Sequence, residues 1–287
     1  MNHYVVGTGR VGLLMVQLLQ EAGESVLGGW TRSRTRAEEI KRNHPGISMD
    51  WGSLPQIPPN VDCIWVTVPD DVIGPMTSTL ATTVESPETR TVLHCSGATP
   101  TRVLRHNWPS VGETVGVHPL QAFVGDHRDR QQAQGAHWFM SGDPRGLEKV
   151  ERILNALQLN IHSLPDEDRT GYHAAAVLAS NGLVALAAWG ETVMPGQGLT
   201  PLLPLMEGTL NNLKERGTHR SLTGPIARGD HKVVEEHLNH LVEHHPHLLE
   251  GYRTLSLTLL RLREEASPPL EAEQLKRLLQ VLSSPQS

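Results

Sequence analysis

Apolar and polar positions over the first 165 residues follow a rhythm of short buried runs and amphipathic stretches. Tyr4–Val6 is apolar and ends in glycines, and the stretch after it places Val11, Leu14, Met15, Leu18 and Leu19 on one helical face. Ser25–Trp30 reads as a second strand, and Arg34–Asn43 as a helix that stops before Pro45. Continuous apolar runs at Val61–Val68 and Thr91–Cys95 suit parallel strands buried on both faces. Asp70–Leu80 between them reads as a helix with Asp70 as its N-cap. Val115–Val117, His137–Met140 and a short segment near Ile161 complete the strands, with an amphipathic helix over Gly146–Leu157. This alternation predicts an α/β fold with a doubly wound parallel sheet.

The pattern changes after Pro165. Asp166–Met194 has helical periodicity, no strong breaker before Pro195, and a high content of alanine (Ala174–Ala176, Ala179, Ala185, Ala187, Ala188). Such a helix is expected to be buried on several sides. Pro201–Arg216, Asp230–Glu243, Pro246–Arg263 and Leu270–Leu282 read as further helices, with a frayed tail from Ser283. The expectation is an α/β domain over residues 1–164 and an all-helical domain over 165–287.

Chemistry enters at the first strand–helix turn. Gly7-Thr8-Gly9-Arg10-Val11-Gly12 has the G-x-G-x-x-G spacing between a predicted strand and a predicted helix, the context that makes the motif a dinucleotide signal. Gly7 allows the tight turn, Gly9 lets a pyrophosphate approach the backbone, and Gly12 lets helix and strand pack closely. The helix N-terminus then faces the phosphates. A site selective for NAD usually carries an acid at the end of the second strand. Here the sequence is Trp30-Thr31-Arg32-Ser33-Arg34-Thr35-Arg36, with no acid before Glu38. Thr31, Arg32, Ser33 and Arg34 therefore predict NADP, through charge-assisted bonds to a 2′-phosphate.

Ligands of this fold lie at the carboxyl ends of the strands. Val68, Pro69 and Asp70 are expected beneath the nicotinamide ribose, and Ser96, with Gly97 beside it, near the nicotinamide ring. His118 ends a later strand and is a candidate substrate contact, although a structural histidine before a proline turn fits as well. Ser141-Gly142-Asp143-Pro144 is expected only to cap a helix. On the long helix, His173 and Asn181 share a face with position 177. His173 is the candidate proton donor and Asn181 a candidate hydrogen-bond donor to a substrate oxygen. Thr223 and Arg228 in the turn-rich Leu222–Asp230 stretch are candidates for binding a substrate anion, with Asp230 as a helix cap. His237, His240, His244, His245 and His247 invite a metal reading, but H-E-x-x-H is absent and a solvated helix face is expected instead.

Composition narrows the partners. The chain has 287 residues and a formal charge of -6, which disfavours nucleic acid. Cys63 and Cys95 sit in apolar runs, so neither a disulfide framework nor a cysteine metal site is expected. No apolar run is expected to approach the roughly 20 residues of a membrane helix. The strand at the N-terminus leaves no room for a secretory signal, and a cytoplasmic enzyme with no membrane partner is the expectation.

The stretches GTGRVG, VTVPDD, HCSGA, GVHPLQAF, YHAAAVLASN and LTGPIARGD span residues 7 to 230. In them the chain resembles a bacterial family with an N-terminal Rossmann-like NADP oxidoreductase domain and a C-terminal helical domain of unknown function. That family is similar in layout to ketopantoate reductases, pyrroline-carboxylate reductases, and 6-phosphogluconate and β-hydroxyacid dehydrogenases. The resemblance implies reduction of a C=O or C=N bond in a small carboxylate-bearing substrate, a ketopantoate-like 2-keto acid first, and a homodimer through the helical domain. Many of these relatives carry K-x-x-x-N on the long helix. Asn181 matches the asparagine, but Val177 stands at the lysine position and cannot protonate an alkoxide. Either His173 takes that role or the reaction differs, and the rival reading is a non-catalytic NADP-binding redox sensor or assembly protein.

Overall fold

In the computed structural model, which describes residues 1–266 and 268–284, eight strands form one sheet. In chain order the first part runs β1 (Asn2–Val6), α1 (Arg10–Glu21), β2 (Ser25–Thr31), α2 (Arg34–Asn43), β3 (Ser48–Trp51), β4 (Cys63–Val66), α3 (Asp70–Thr83) and β5 (Thr91–His94). It continues with α4 (Arg102–Asn107), β6 (Glu113–Pro119), α5 (Asp129–Gly135), β7 (His137–Gly142), α6 (Pro144–Ala156) and β8 (Asn160–Ser163). The strand order is β3-β2-β1-β4-β5-β6-β7-β8. The direction of winding reverses between β1 and β4, which is the crevice where this fold takes ligands.

The strands are buried on both faces because their residues alternate between two cores. Val5, Trp65 and Leu93 point to one side, with Met15, Leu18 and Leu19 of α1. Tyr4, Val6, Ile64, Val66 and Val92 point to the other, with Ile73 and Leu80 of α3. Each such side chain contributes roughly 2 kcal/mol of burial. Cys63 and Cys95 are buried free thiols, and burial pushes both up to about 12.

The sheet departs from the all-parallel expectation at β6–β7, which pair antiparallel, with β8 parallel to β7. The chain leaves the carboxyl end of β6 and re-enters the sheet at the same end, so no crossover carries it back. The carboxyl end of β7 therefore lies away from the ligand edge. Asp143 holds the N-cap position of α6, but its carboxylate accepts from Thr114 N and Oγ1 (both 2.8 Å) rather than from the helix. Asp70 is likewise the first residue of α3 and not its cap, which is Pro69.

A 3-10 turn at Asp166–Asp168 leads into α7 (Arg169–Val193). The chain divides into two compact units at residues 180 and 181, so this helix runs through the division. The last strand of the sheet ends at Ser163. The expectation of a buried α7 fails: of its residues only Arg169 is buried, and Leu178 and Val184 are 75% and 69% exposed. The expectation that no run approaches the length of a membrane helix fails too. The helical stretch Asp166–Val193 is long and apolar enough to cross a bilayer, by length and composition.

The second unit contains α8 (Leu203–Ser221), α9 (Pro225–Arg228), α10 (His231–His244), α11 (Leu249–Glu264) and α12 (Ala272–Ser283). α8 breaks at Gly217, whose φ is 72°, one residue past the expected end at Arg216. Asp230 caps α10 by accepting from Val233 N. Ile226, Val234, Leu238, Leu260, Leu278 and Leu282 form this unit's own core. The expected frayed tail falls largely on 285–287, outside the described residues.

Candidate functional site

The glycine turn is built as the motif requires. Gly7 has φ 96°, and a Cβ there would come within 2.8 Å of Thr67 O and of Val68 Cγ1. A Cβ on Gly12 would collide with the Gly7 carbonyl and stand 2.6 Å from Thr67 Oγ1. Thr67 closes the arrangement by donating to Gly7 O at 2.5 Å. These glycines therefore serve the packing of β1, α1 and the segment after β4. Gly9 is different: a Cβ there meets nothing within 4 Å. The space it leaves open faces away from the protein, at the N-terminus of α1. Thr8 Oγ1 beside it is buried with no hydrogen-bond partner. An open cradle, free helix N–H groups and an orphaned hydroxyl fit a dinucleotide pyrophosphate.

The basic segment after β2 is only partly arranged as expected. Arg32 and Arg34 are exposed, and Arg34 Nε bonds Glu38 at 2.7 Å. Ser33 is spent as the N-cap of α2, accepting from Arg36 N. Arg36, outside the expected set, reaches back so that its Nε donates to Thr8 O at 3.3 Å. It ties the β2 end to the glycine turn, with Arg10 opening α1 alongside Gly125 of the loop after β6.

The carboxyl ends of β5 and β6 carry the reactive candidates. Ser96 is 9% exposed, and its Oγ accepts from Ala98 N and Thr99 N (3.2 and 2.9 Å). It is thus a turn serine whose own O–H remains available to donate. Gly97 lies against the His118 imidazole, where a Cβ would come within 2.9 Å of the ring. His118 Nδ1 and Tyr172 Oη are 2.6 Å apart, with the rings perpendicular. Burial first, then the Arg169 charge and His173, lower His118 to about 4. Burial raises Tyr172 to about 12. Near neutral pH the pair is an uncharged imidazole against a protonated phenol.

Beneath the pair lies a buried polar network centred on Arg169, which is 1% exposed. Its guanidinium donates to Ser96 O (3.0 Å), Ser141 Oγ (2.8 Å) and Asp166 Oδ1 (3.3 Å). Ser141 Oγ also meets Thr101 Oγ1 at 2.6 Å. Asp166 accepts from the backbone N–H of Thr101 and Arg102. Burial pushes the Asp166 carboxyl up, but these N–H donors and the Arg169 charge outweigh it and hold it below its ordinary value. His94 is wholly buried and lowered to about 3 by burial and then by Arg169; its Nε2 has no partner. The network bolts the start of α7 to the turn that carries Ser96.

The first unit thus brings Ser96, His118 and His173 to one neighbourhood, with Val68, Pro69 and Asp70 following β4 beside Gly7. His173 follows Tyr172, and its Nδ1 is buried without a partner. Asn181 is exposed at the start of the second unit, and Thr223 and Arg228 are exposed around α9. In α10, His240 and His244 have ring centroids 4.6 Å apart, but among the described residues no three potential ligands converge on a metal position.

Comparison with known proteins now bears on this geometry. Residues 136–259 match a domain of unknown function (DUF2520). A Bacteroides fragilis protein with a provisional NADP oxidoreductase assignment is 19% identical, with a TM-score of 0.75 over 91% of this chain and 98% of that one. A Thermotoga maritima protein is 25% identical, with a TM-score of 0.70 over the same shares, 91% and 98%. Pyrroline carboxylate reductase of Plasmodium falciparum, solved with NADP bound, is 12% identical with a TM-score of 0.55, again over 91% and 98%. No curated protein matches the chain. At these identities the likeness establishes the fold, a Rossmann sheet followed by a helical region.

Tyr172, Arg169, Asp166 and Arg36 were not among the expected site residues. Tyr172 stands out in the sequence with His173, Ser180 and Asn181 as a polar position of the long helix, but nothing local to it gives it a partner or a role. Arg169 gives no local signal, because a buried arginine and a solvated one read alike when their partners lie 28 and 73 residues away.

Proposed function

We propose that the chain is an NADP(H)-dependent oxidoreductase that reduces a C=O or C=N bond in a small carboxylate-bearing substrate, with a ketopantoate-like 2-keto acid the first candidate. The observation that carries this reading is the His118–Tyr172 pair over Gly97, on the same carboxyl edge as the open glycine turn. Gly9, Thr8 and the start of α1 would hold the pyrophosphate, Val68 to Asp70 the adjoining ribose, and Arg32, Arg34 and Arg36 a 2′-phosphate. When bound, the nicotinamide would supply the hydride.

The chain's own residues would supply the rest. Tyr172 donates to His118 Nδ1, which leaves the Nε2 proton to polarise the substrate oxygen or nitrogen. A neutral imidazole suits that task, as a donor that keeps its proton until charge develops. Ser96 Oγ donates to the substrate carboxylate or carbonyl, and His173 delivers the proton that Val177 cannot. In the second unit, Asn181, Thr223 and Arg228 are proposed as substrate-binding residues on the chemistry of the sequence alone. The pyrroline carboxylate reductase likeness supports C=N alongside C=O chemistry.

A screen of ketopantoate, pyrroline carboxylate and short 2-keto acids, read by NADPH absorbance, tests the reading. Turnover on one of them is expected, with His118→Gln lowering kcat at least 100-fold. Tight NADPH binding with no turnover on any of them would favour the non-catalytic alternative. Replacing Arg32 and Arg34 together by alanine should weaken NADPH at least tenfold and leave NADH unchanged. Equal affinity of the wild type for NADPH and NADH would refute the arginine assignment.

The apolar face of α7 also supports a homodimer. Leu178 and Val184 on α7, and Leu205 on α8, are more than two-thirds exposed in the single chain. A second copy would cover them.

A further inference from the structure

Trp51 ends β3 on the outer side of β2, and no role has been given to it. It is the exposed member of the six tryptophans, at 49%, whereas Trp30, Trp65, Trp108 and Trp138 are buried. A half-exposed indole on a fixed backbone has a ring face free to stack on a planar group. The backbone beneath it is pinned from several directions. Trp51 pairs with Thr31, the last residue of β2. Gly52 N donates to Thr31 O at 3.2 Å, and Trp30 Nε1 donates to both Gly52 O and Ser53 O at 3.2 Å. Tyr4 Oη holds the adjacent Asp50 at 2.9 Å. The exposed ring therefore stands on a rigid base.

That base lies at the β2 carboxyl edge, the adenosine end of a dinucleotide in this strand order. The ring is already covered by a planar cation: the Arg34 guanidinium carbon is 5.4 Å from the ring centroid. Indole faces stack on nucleobases as they do on guanidinium groups. Arg34 is exposed, and its one bonded partner is Glu38, also exposed and one helical turn along, so moving it costs little. Because Arg32 and Arg34 flank Ser33, a displaced Arg34 stays within reach of the end of β2.

We propose that Trp51 is the adenine platform of the dinucleotide site, offering its indole face to the purine while Arg34 moves from that face to the 2′-phosphate. This rests on the reading of the glycine turn as a dinucleotide site. It adds a cofactor-binding residue from an edge strand that the glycine motif does not include.

The test uses the full-length protein with 2′,5′-ADP, which carries only the adenine half, and with NADP+. Trp51 emission, obtained as the difference between the wild type and Trp51→Phe, is expected to be quenched on saturation with 2′,5′-ADP. Trp51→Ala is expected to weaken both ligands by the same factor, at least about fivefold, while Trp51→Phe keeps most of the affinity. Arg34→Ala is expected to weaken 2′,5′-ADP more than 5′-ADP. Matching far-ultraviolet spectra and melting temperatures would show that the variants fold. If wild type and Trp51→Ala bind NADP+ and 2′,5′-ADP equally and emission is unmoved, the platform is wrong and the dinucleotide site stands. If the wild type binds neither NADP+ nor NADH, the dinucleotide site itself is wrong, and the platform falls with it.

Discussion

Arg169 is the buried charge at the centre of the first unit's polar network. Its buried guanidinium joins three backbone or side-chain acceptors from separate elements, of which Asp166 is partly exposed. Arg169→Met should cost about 3 kcal/mol, because Asp166 and the Ser96 carbonyl lose their partner while buried or half-buried. Urea denaturation measures this, and a cost below about 1 kcal/mol would show that the network relaxes around the loss. His118 gives a pH signature. Its folded pKa, about 4, lies below the ordinary 6.5, so between those values the unfolded chain binds a proton that the native chain refuses. Stability should therefore fall as pH drops from about 6.5 towards 4, with His94 extending the fall towards 3. His118→Gln should flatten that slope by one proton; an unchanged slope would place the titration elsewhere.

At the scale of elements, α7 is where physical expectation and structure part. Its alanines and leucines predict burial, yet in one chain its apolar face meets water. Leu178→Glu with Val184→Glu should convert a dimer to a monomer in sedimentation equilibrium, with melting little changed. If both forms are monomers and the wild type instead floats with phospholipid vesicles, a bilayer is what α7 covers itself with. The other elements differ in how plainly the chain announces them. α2 matches its expected bounds because Ser33 caps it and Pro45 follows close behind. β3 went unread since only Met49 of its four residues is buried, as befits an edge strand. α4 and α5 are too short and polar to show a period. The reversal of β7 depends on the route of the chain over 120–136, which local pattern does not encode. Within the site, the glycines were legible because backbone geometry restricts the residue, whereas Arg169 and Tyr172 act through partners far away in sequence.

At the scale of the molecule, two units with separate cores are joined through one helix, and the glycine turn lies in the first. The glycines of its turn divide by task. Gly7 and Gly12 hold the fold together, while Gly9 leaves room for something outside the protein. Gly9 has a negative φ, -71°, in extended backbone, so a side chain there avoids the left-handed region that favours glycine. Alanine there should leave stability intact and obstruct only the ligand, whereas Gly12→Ala should unfold or strongly destabilise the unit. The most direct test is a calorimetric titration of NADPH into the wild type and Gly9→Ala, with the melting temperature of each measured unliganded. A dinucleotide site at the glycine turn predicts one-site binding to the wild type, at least tenfold weaker binding to Gly9→Ala, and equal melting. No binding to the wild type, or equal binding to both, would contradict it.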